Sequence, residues 1–97
     1  MARVPPFEAD ESAGYIYAQL ADYLEDRIRA GDYPVGGRLP NVREMAAEFG
    51  VAMHTVRHAQ RILADRGMLK VWSSKGAYIS PMQDWRRRPR RRGSGTT

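Results

Sequence analysis

The chain has 97 residues, of which 42% are hydrophobic, with no cysteine and a formal net charge of +5. That length allows one small domain with a modest core. It leaves no route to disulfides, thiolate metal sites or cysteine nucleophiles, and no apolar run approaches the roughly 18 residues of a membrane span.

Residues 1–11 contain Pro5-Pro6 and little periodicity, and read as a flexible arm. The stretch has no apolar core of the kind a signal peptide needs, so a cytoplasmic, nucleoid-associated protein is expected. Ser12 stands where it can cap a first helix running to about Ala30, in which Ile16, Leu20, Leu24 and Ile28 recur every four residues as an apolar stripe flanked by Tyr17 and Tyr23. Gly31 marks its end. The run DYPVGGRLP reads as a loop, with Arg38-Leu39 as a short strand. Asn41, followed three residues later by Glu44, is a capping box opening a second helix. Val42, Met45, Ala46 and Phe49 supply that helix's buried face, and Gly50 stops it. The third helix spans about Met53 to Arg66, with Val56, Ala59, Ile62 and Leu63 inward and Gly67 as its stop.

LKVW and AYIS, around Ser73-Ser74-Lys75-Gly76, form a β-hairpin, with Trp72 expected to pack it onto the core. From Pro81 on, MQDWRRRPRRRGSGTT has no core pattern, and Arg repulsion predicts a disordered tail over 81–97. Trp85 within it either packs back on the first helix or stays exposed. The expected fold is therefore α+β. It is a small winged helix-turn-helix over residues 12–80, with three helices and a C-terminal β-hairpin wing.

The most informative residues are Ala46, Gly50 and Val56, spaced four and then six apart. Ala permits close packing of two helices, Gly takes a left-handed turn between them, and the β-branched residue fills the crossing. The last helix of such a pair can lie in the DNA major groove. Charge placement agrees. Residues 86–92, RRRPRRR, hold six of the 16 Lys and Arg, which leaves 10 basic against 11 acidic residues before them. Asp22, Glu25, Asp26 and Asp32 make one region of that body acidic, and Arg57, Arg61, Arg66, Lys70 and Lys75 make another basic. A basic face on a near-neutral body orients a domain on phosphate.

These residues resemble the DNA-binding domain of the GntR family of bacterial repressors over roughly residues 13–80. The resemblance lies in Tyr17 and Gln19, in Ile28 and Gly31, and in Val35-Gly36-Gly37-Arg38-Leu39-Pro40. It continues through Arg43-Glu44-Met45-Ala46, Gly50-Val51 and Thr55-Val56-Arg57-His58-Ala59. Leu63, Gly67, Met68, Leu69 and then Gly76-Ala77-Tyr78-Ile79 complete it. Three features depart from the family pattern. Ala52 and Met53 stand where the family has Ser or Thr and then Arg, so one helix cap and one guanidinium are absent. Ser74 replaces the first Gly of the wing. The 16 residues from Met82 on are also too few for the C-terminal effector and dimerisation domain that family members append. The resemblance thus implies DNA binding without metabolite sensing.

Candidate DNA-binding residues follow. Arg57 and Arg61, one helical turn apart with His54 and His58 beside them, form a row suited to phosphates and base edges. Arg43 resembles the family's base-contacting arginine. Asn41 is first a cap and second a phosphate donor, while Thr55 either binds phosphate or bonds locally to its own helix. Lys75-Gly76 forms a wing tip that can enter or flank the minor groove. Arg86, Arg87, Arg88, Arg90, Arg91 and Arg92 read as a nonspecific phosphate arm, an RNA or acidic-partner contact, or a solvated end. His54 and His58 lack a third ligand and flank Arg57, so no metal or other cofactor is expected. No acid/base constellation or phosphate loop points to an enzyme.

The expected function is sequence-specific regulation of transcription, as a repressor, through double-stranded DNA. The alternatives are a protein-interaction module and a nucleic-acid binder acting through the Arg tail. A monomer or weak homodimer, pairing on an inverted repeat, is expected, without a small-molecule effector or membrane partner.

Overall fold

The computed structural model of the chain describes residues 4–72 and 74–86. Three helices come first: α1 (Ile16–Arg29), α2 (Val42–Phe49) and α3 (Met53–Asp65). An antiparallel hairpin of β1 (Leu69–Trp72) and β2 (Gly76–Ile79) follows, in register from Leu69 opposite Ile79 to Trp72 opposite Gly76. The loop after α1 returns along the free edge of β2. Arg38 bridges Tyr78, Leu39 N–H donates to Ala77 O at 2.8 Å, and Ile79 N–H donates to Gly37 O at 2.9 Å. The short strand expected at Arg38-Leu39 is thus a bridge that leaves β2 bonded on both sides.

Periodicity decides what is buried. Leu20, Leu24 and Ile28 of α1 meet Met45 of α2 and Val56 and Leu63 of α3, with Leu69, Ala77 and Ile79 of the hairpin closing the same core. Gly50 takes φ +69 and ψ 35, and its N–H donates to Ala46 O. That left-handed residue turns the chain from α2 into α3 while Ala46 and Val56 are buried at the crossing. Behind the crossing, Glu25 is 1% exposed and receives Arg66 at 2.7 Å and Arg29 at 2.9 Å. Arg66 also pairs with Asp22 at 3.0 Å, so the end of α3 is tied to α1.

Both ends of the domain differ from the sequence expectation. Ser12 does not cap α1. The Asp10 carboxylate accepts from Ser12 N at 3.0 Å and from its hydroxyl at 2.7 Å, which closes a separate 3-10 turn, Glu11–Ala13. Gly14 at φ +117 breaks the chain away, and α1 starts at Ile16 without a side-chain cap. Gln19 then holds the preceding segment. Its amide donates to Asp10 O at 2.8 Å and Gly14 O at 3.1 Å, and accepts from Asp10 N at 2.9 Å. Phe7 packs on Tyr23 and Phe49 at centroid distances of 5.3 and 5.9 Å, so this part of the arm lies against α1 and α2.

At the other end, packed structure continues beyond residue 80, where the tail was expected to begin. A 3-10 turn, Met82–Asp84, leads to Trp85, whose indole N–H donates to Ser80 O at 2.8 Å. Arg29 stands over the indole, 5.4 Å from its centroid. A Cβ on Gly67 (φ +76) would collide with Asp84 O, so that glycine admits the segment against the α3–β1 turn. One aromatic ring and one missing Cβ do this, and neither gives a periodic signal.

Candidate nucleic-acid interface

The capping box forms as the sequence predicts. Asn41 Oδ1 accepts from Glu44 N at 2.8 Å and Glu44 Oε1 accepts from Asn41 N at 3.2 Å. This fixes the first turn of α2, from which Arg43 stands exposed. Arg57 and Arg61 are exposed on α3 and, with Gln60, Ala64 and Val71, line a cleft of about 240 Å³ between α3 and β1. His54 is exposed one turn before them, and Thr55 is half-buried. Among the described residues the Thr55 side chain makes no hydrogen bond to its own helix. Ala52 provides no side-chain cap for α3, as its methyl group dictates.

His58 stands apart from that row. Its ring stacks on Tyr17 at a centroid distance of 3.6 Å and an interplanar angle of 14°, and Tyr17 in turn stacks on Tyr15 at 5.3 Å. Successive residues of an α-helix diverge by about 100°. Arg57 can therefore face outward while His58 faces α1. Sequence spacing put the two side by side; the packing of α3 on α1 separates them.

The arginines divide into two groups. Arg27 pairs with Asp32 and Glu48, Arg29 with Glu25, and Arg66 with Glu25 and Asp22. Arg66, grouped in the sequence with the basic region, is thereby turned to α1. Among the described residues, Arg38, Arg43, Arg57 and Arg61 form no ion pair.

At the wing, Lys75 N–H donates to Trp72 O at 3.1 Å and closes the turn, with the Lys75 side chain exposed. Gly76 has φ +101, and a Cβ there would sit 2.9 Å from Arg38 Nε. The glycine makes room for Arg38, a cation the sequence reading did not single out. The two are 38 positions apart, and only the return of the loop onto β2 joins them. Trp72 does not pack the hairpin onto the core. It is 52% exposed, because strand alternation turns Leu69 inward and Trp72 to the opposite face. Arg86 lies at the end of α3, its N–H donating to Arg66 O at 2.8 Å and its guanidinium to Asp65 O. Arg87, Arg88, Arg90, Arg91 and Arg92 lie outside the described residues.

Two helices joined by a left-handed glycine, a supporting first helix and a C-terminal hairpin define the winged helix-turn-helix class, α+β in composition. The family model described as bacterial regulatory proteins, gntR family, matches residues 16–79, and the chain belongs to that family. It is 39% identical over 64 residues to RB1450 of Rhizobium meliloti (strain 1021), an uncharacterized HTH-type transcriptional regulator, covering 66% of this chain and 26% of that protein. The chain thus spans well under two thirds of that relative's length.

YtrA from Sulfolobus acidocaldarius, a GntR-family transcription factor, matches at a TM-score of 0.68 and 35% identity, over 76% of this chain and 79% of that one. BusR of S. agalactiae, solved with its busAB-promotor DNA, matches at a TM-score of 0.66 and 32% identity, over 73% of this chain and 35% of that one. No helix among the described residues is long and apolar enough to cross a membrane.

Proposed function

We infer that the chain is a GntR-type transcription regulator that binds double-stranded DNA sequence-specifically, with α3 in the major groove and the hairpin at the minor groove. One observation carries this reading. Arg43 on α2, Arg57 and Arg61 on α3, and Arg38 in the loop after α1 lack acidic partners among the described residues, while Arg27, Arg29 and Arg66 are neutralised. Exposed guanidinium groups left without carboxylates are suited to phosphate and to the O6 and N7 edge of guanine. The solved BusR–DNA complex, in a chain of similar fold, supports the same use.

In this reading Arg57 contacts base edges, with Arg61, Arg43 and His54 along the same surface. Thr55, Asn41 and Lys75 serve phosphate. His58 buttresses α3 through Tyr17, and Gly76 acts through Arg38. The tail arginines add sequence-independent affinity. Met53 leaves one guanidinium fewer than the family pattern supplies, so the base preference is this chain's own. An operator covered in this way excludes polymerase, which makes repression the direct consequence of binding. The site of action is the nucleoid, and neither a cofactor nor an enzymatic step is needed.

Selection of bound duplexes from a random library tests the reading. Enrichment of a motif, with affinity that falls steeply with salt, is the expected result. Recovery of no motif, or an affinity indifferent to salt, would overturn it.

A further inference from the structure

The outward face of the hairpin carries a group of side chains that the helix-turn-helix does not use. Trp72 lies opposite Gly76 in the register, and Arg38 bridges the far edge of β2 at Tyr78. Residues two apart on a strand share a face, so Trp72 and Arg38 emerge on the same side, with Gly76 between them. The missing Cβ of Gly76 points at the Arg38 guanidinium, 2.9 Å from Nε. Arg38 is exposed and forms no ion pair among the described residues. Residues 69–80 contain Lys70 and Lys75 and no acid. A half-exposed indole and an unneutralised guanidinium on one face, beside strands that carry no acid, match an anionic partner that offers apolar sugar edges.

We propose that Trp72 and Arg38 form a clasp that reads the width of the DNA minor groove beside the α3 contact. The proposal rests on the DNA-binding reading above and adds to it a specificity that needs no hydrogen bond to a base edge. Arg38 enters the groove, where narrow A·T-rich tracts concentrate negative potential. Trp72 packs its ring against the deoxyribose wall and excludes water from the guanidinium. Gly76 is the hinge of the arrangement, since any side chain there displaces Arg38. The two residues stand in different segments, so neither reads groove width without the other.

The test uses the full chain and duplexes sharing one selected core site, flanked either by A-tracts or by G·C-rich sequence. The parent should prefer A-tract flanks by about tenfold, the size of one stacking or groove contact. Trp72→Ala should bring that ratio close to one while keeping the preference for the core over a scrambled core, and Arg38→Ala should bring it close to one with affinity lost on every duplex alike. Trp72→Phe, which keeps a ring, should retain part of the ratio. Melting of each variant checks that the fold is kept, and a second readout does not depend on affinity. Trp72 emission, taken as the parent minus Trp72→Phe, should become protected from iodide and acrylamide on the A-tract duplex. Emission from Trp85, held by its bond to Ser80, should not change.

A parent that selects a core but is blind to its flanks, or variants that keep the flank preference, would overturn the clasp and leave the α3 reading standing. Failure to select any core would remove both.

Discussion

Gly50 is the residue on which the helix-turn-helix depends. At φ +69 it has open space where a Cβ would go, so backbone conformation and not a clash sets its identity. A β-branched residue is poorly tolerated there, whereas asparagine adopts the left-handed region more readily. Gly50→Val should cost about 2–3 kcal/mol and lower Tm by roughly 10 °C or more, with Gly50→Asn much milder. Thermal melts of both variants check this; equal Tm values for Gly50→Val and the parent would remove the left-handed turn from the account.

A second residue-scale effect concerns Tyr33. Burial pushes its phenol above its ordinary value of 10.0, with the nearby Arg27 guanidinium opposing. The neutral phenol is therefore the form the fold prefers. Its contribution to stability is complete below about pH 10 and is lost as pH rises through the raised folded value. Urea melts from pH 8 to 11 should show a flatter alkaline decline for Tyr33→Phe than for the parent. The same slope in both would place the alkaline sensitivity elsewhere.

Between elements, the α1–α3 joint decides how α3 is presented. Arg66 and Arg61 lie on the same helix segment in sequence, yet one is paired with buried Glu25 and the other is exposed without a pair among the described residues. Removing one partner of a buried pair leaves a desolvated charge, at about 3–5 kcal/mol. Arg29 still reaches Glu25, so Arg66→Ala should cost about 3 kcal/mol, the lower end of that range. Arg61→Ala should stay within about 0.5 kcal/mol, as exposed substitutions do. Equal denaturation midpoints for the two variants would contradict the assignment.

Most elements were legible in the sequence where a short-range rule governed them, the cap expected at Ser12 excepted, since Asp10 takes that serine into a 3-10 turn. The four-residue stripe of α1, the Asn41–Glu44 box and the Gly50 turn each depend on neighbours within one or two turns. What was not legible rests on distant pairs. Examples are Phe7 against Phe49, Gly67 against Asp84, Glu25 against Arg66 and Arg38 against Gly76. The same reason explains the candidate site. Arg43, Arg57, Arg61 and Lys75 stand exposed on elements drawn correctly from sequence, while His58 depended on which neighbour it would meet and Trp72 on which face of β1 turned inward.

For the whole molecule, the size of the surface sets the expectation. A single small DNA-binding module buries about 600–1,000 Å² of protein, less than most tight, specific complexes use. Two copies on an inverted repeat, each with α3 in its own half-site, would supply the remainder. The free protein should therefore sediment as a monomer or weak dimer and bind a full repeat cooperatively. A tight dimer without DNA, or equal per-site affinity on half and full sites, would contradict that arrangement.

Specific recognition through α3 is tested by one titration. The parent and Arg57→Ala are each titrated onto the selected operator and onto a scrambled duplex at one fixed salt concentration. Arg57→Ala should lose about 1–3 kcal/mol on the operator and far less on the scrambled duplex, with Tm unchanged. An equal loss on both duplexes, or no loss on the operator, would contradict it.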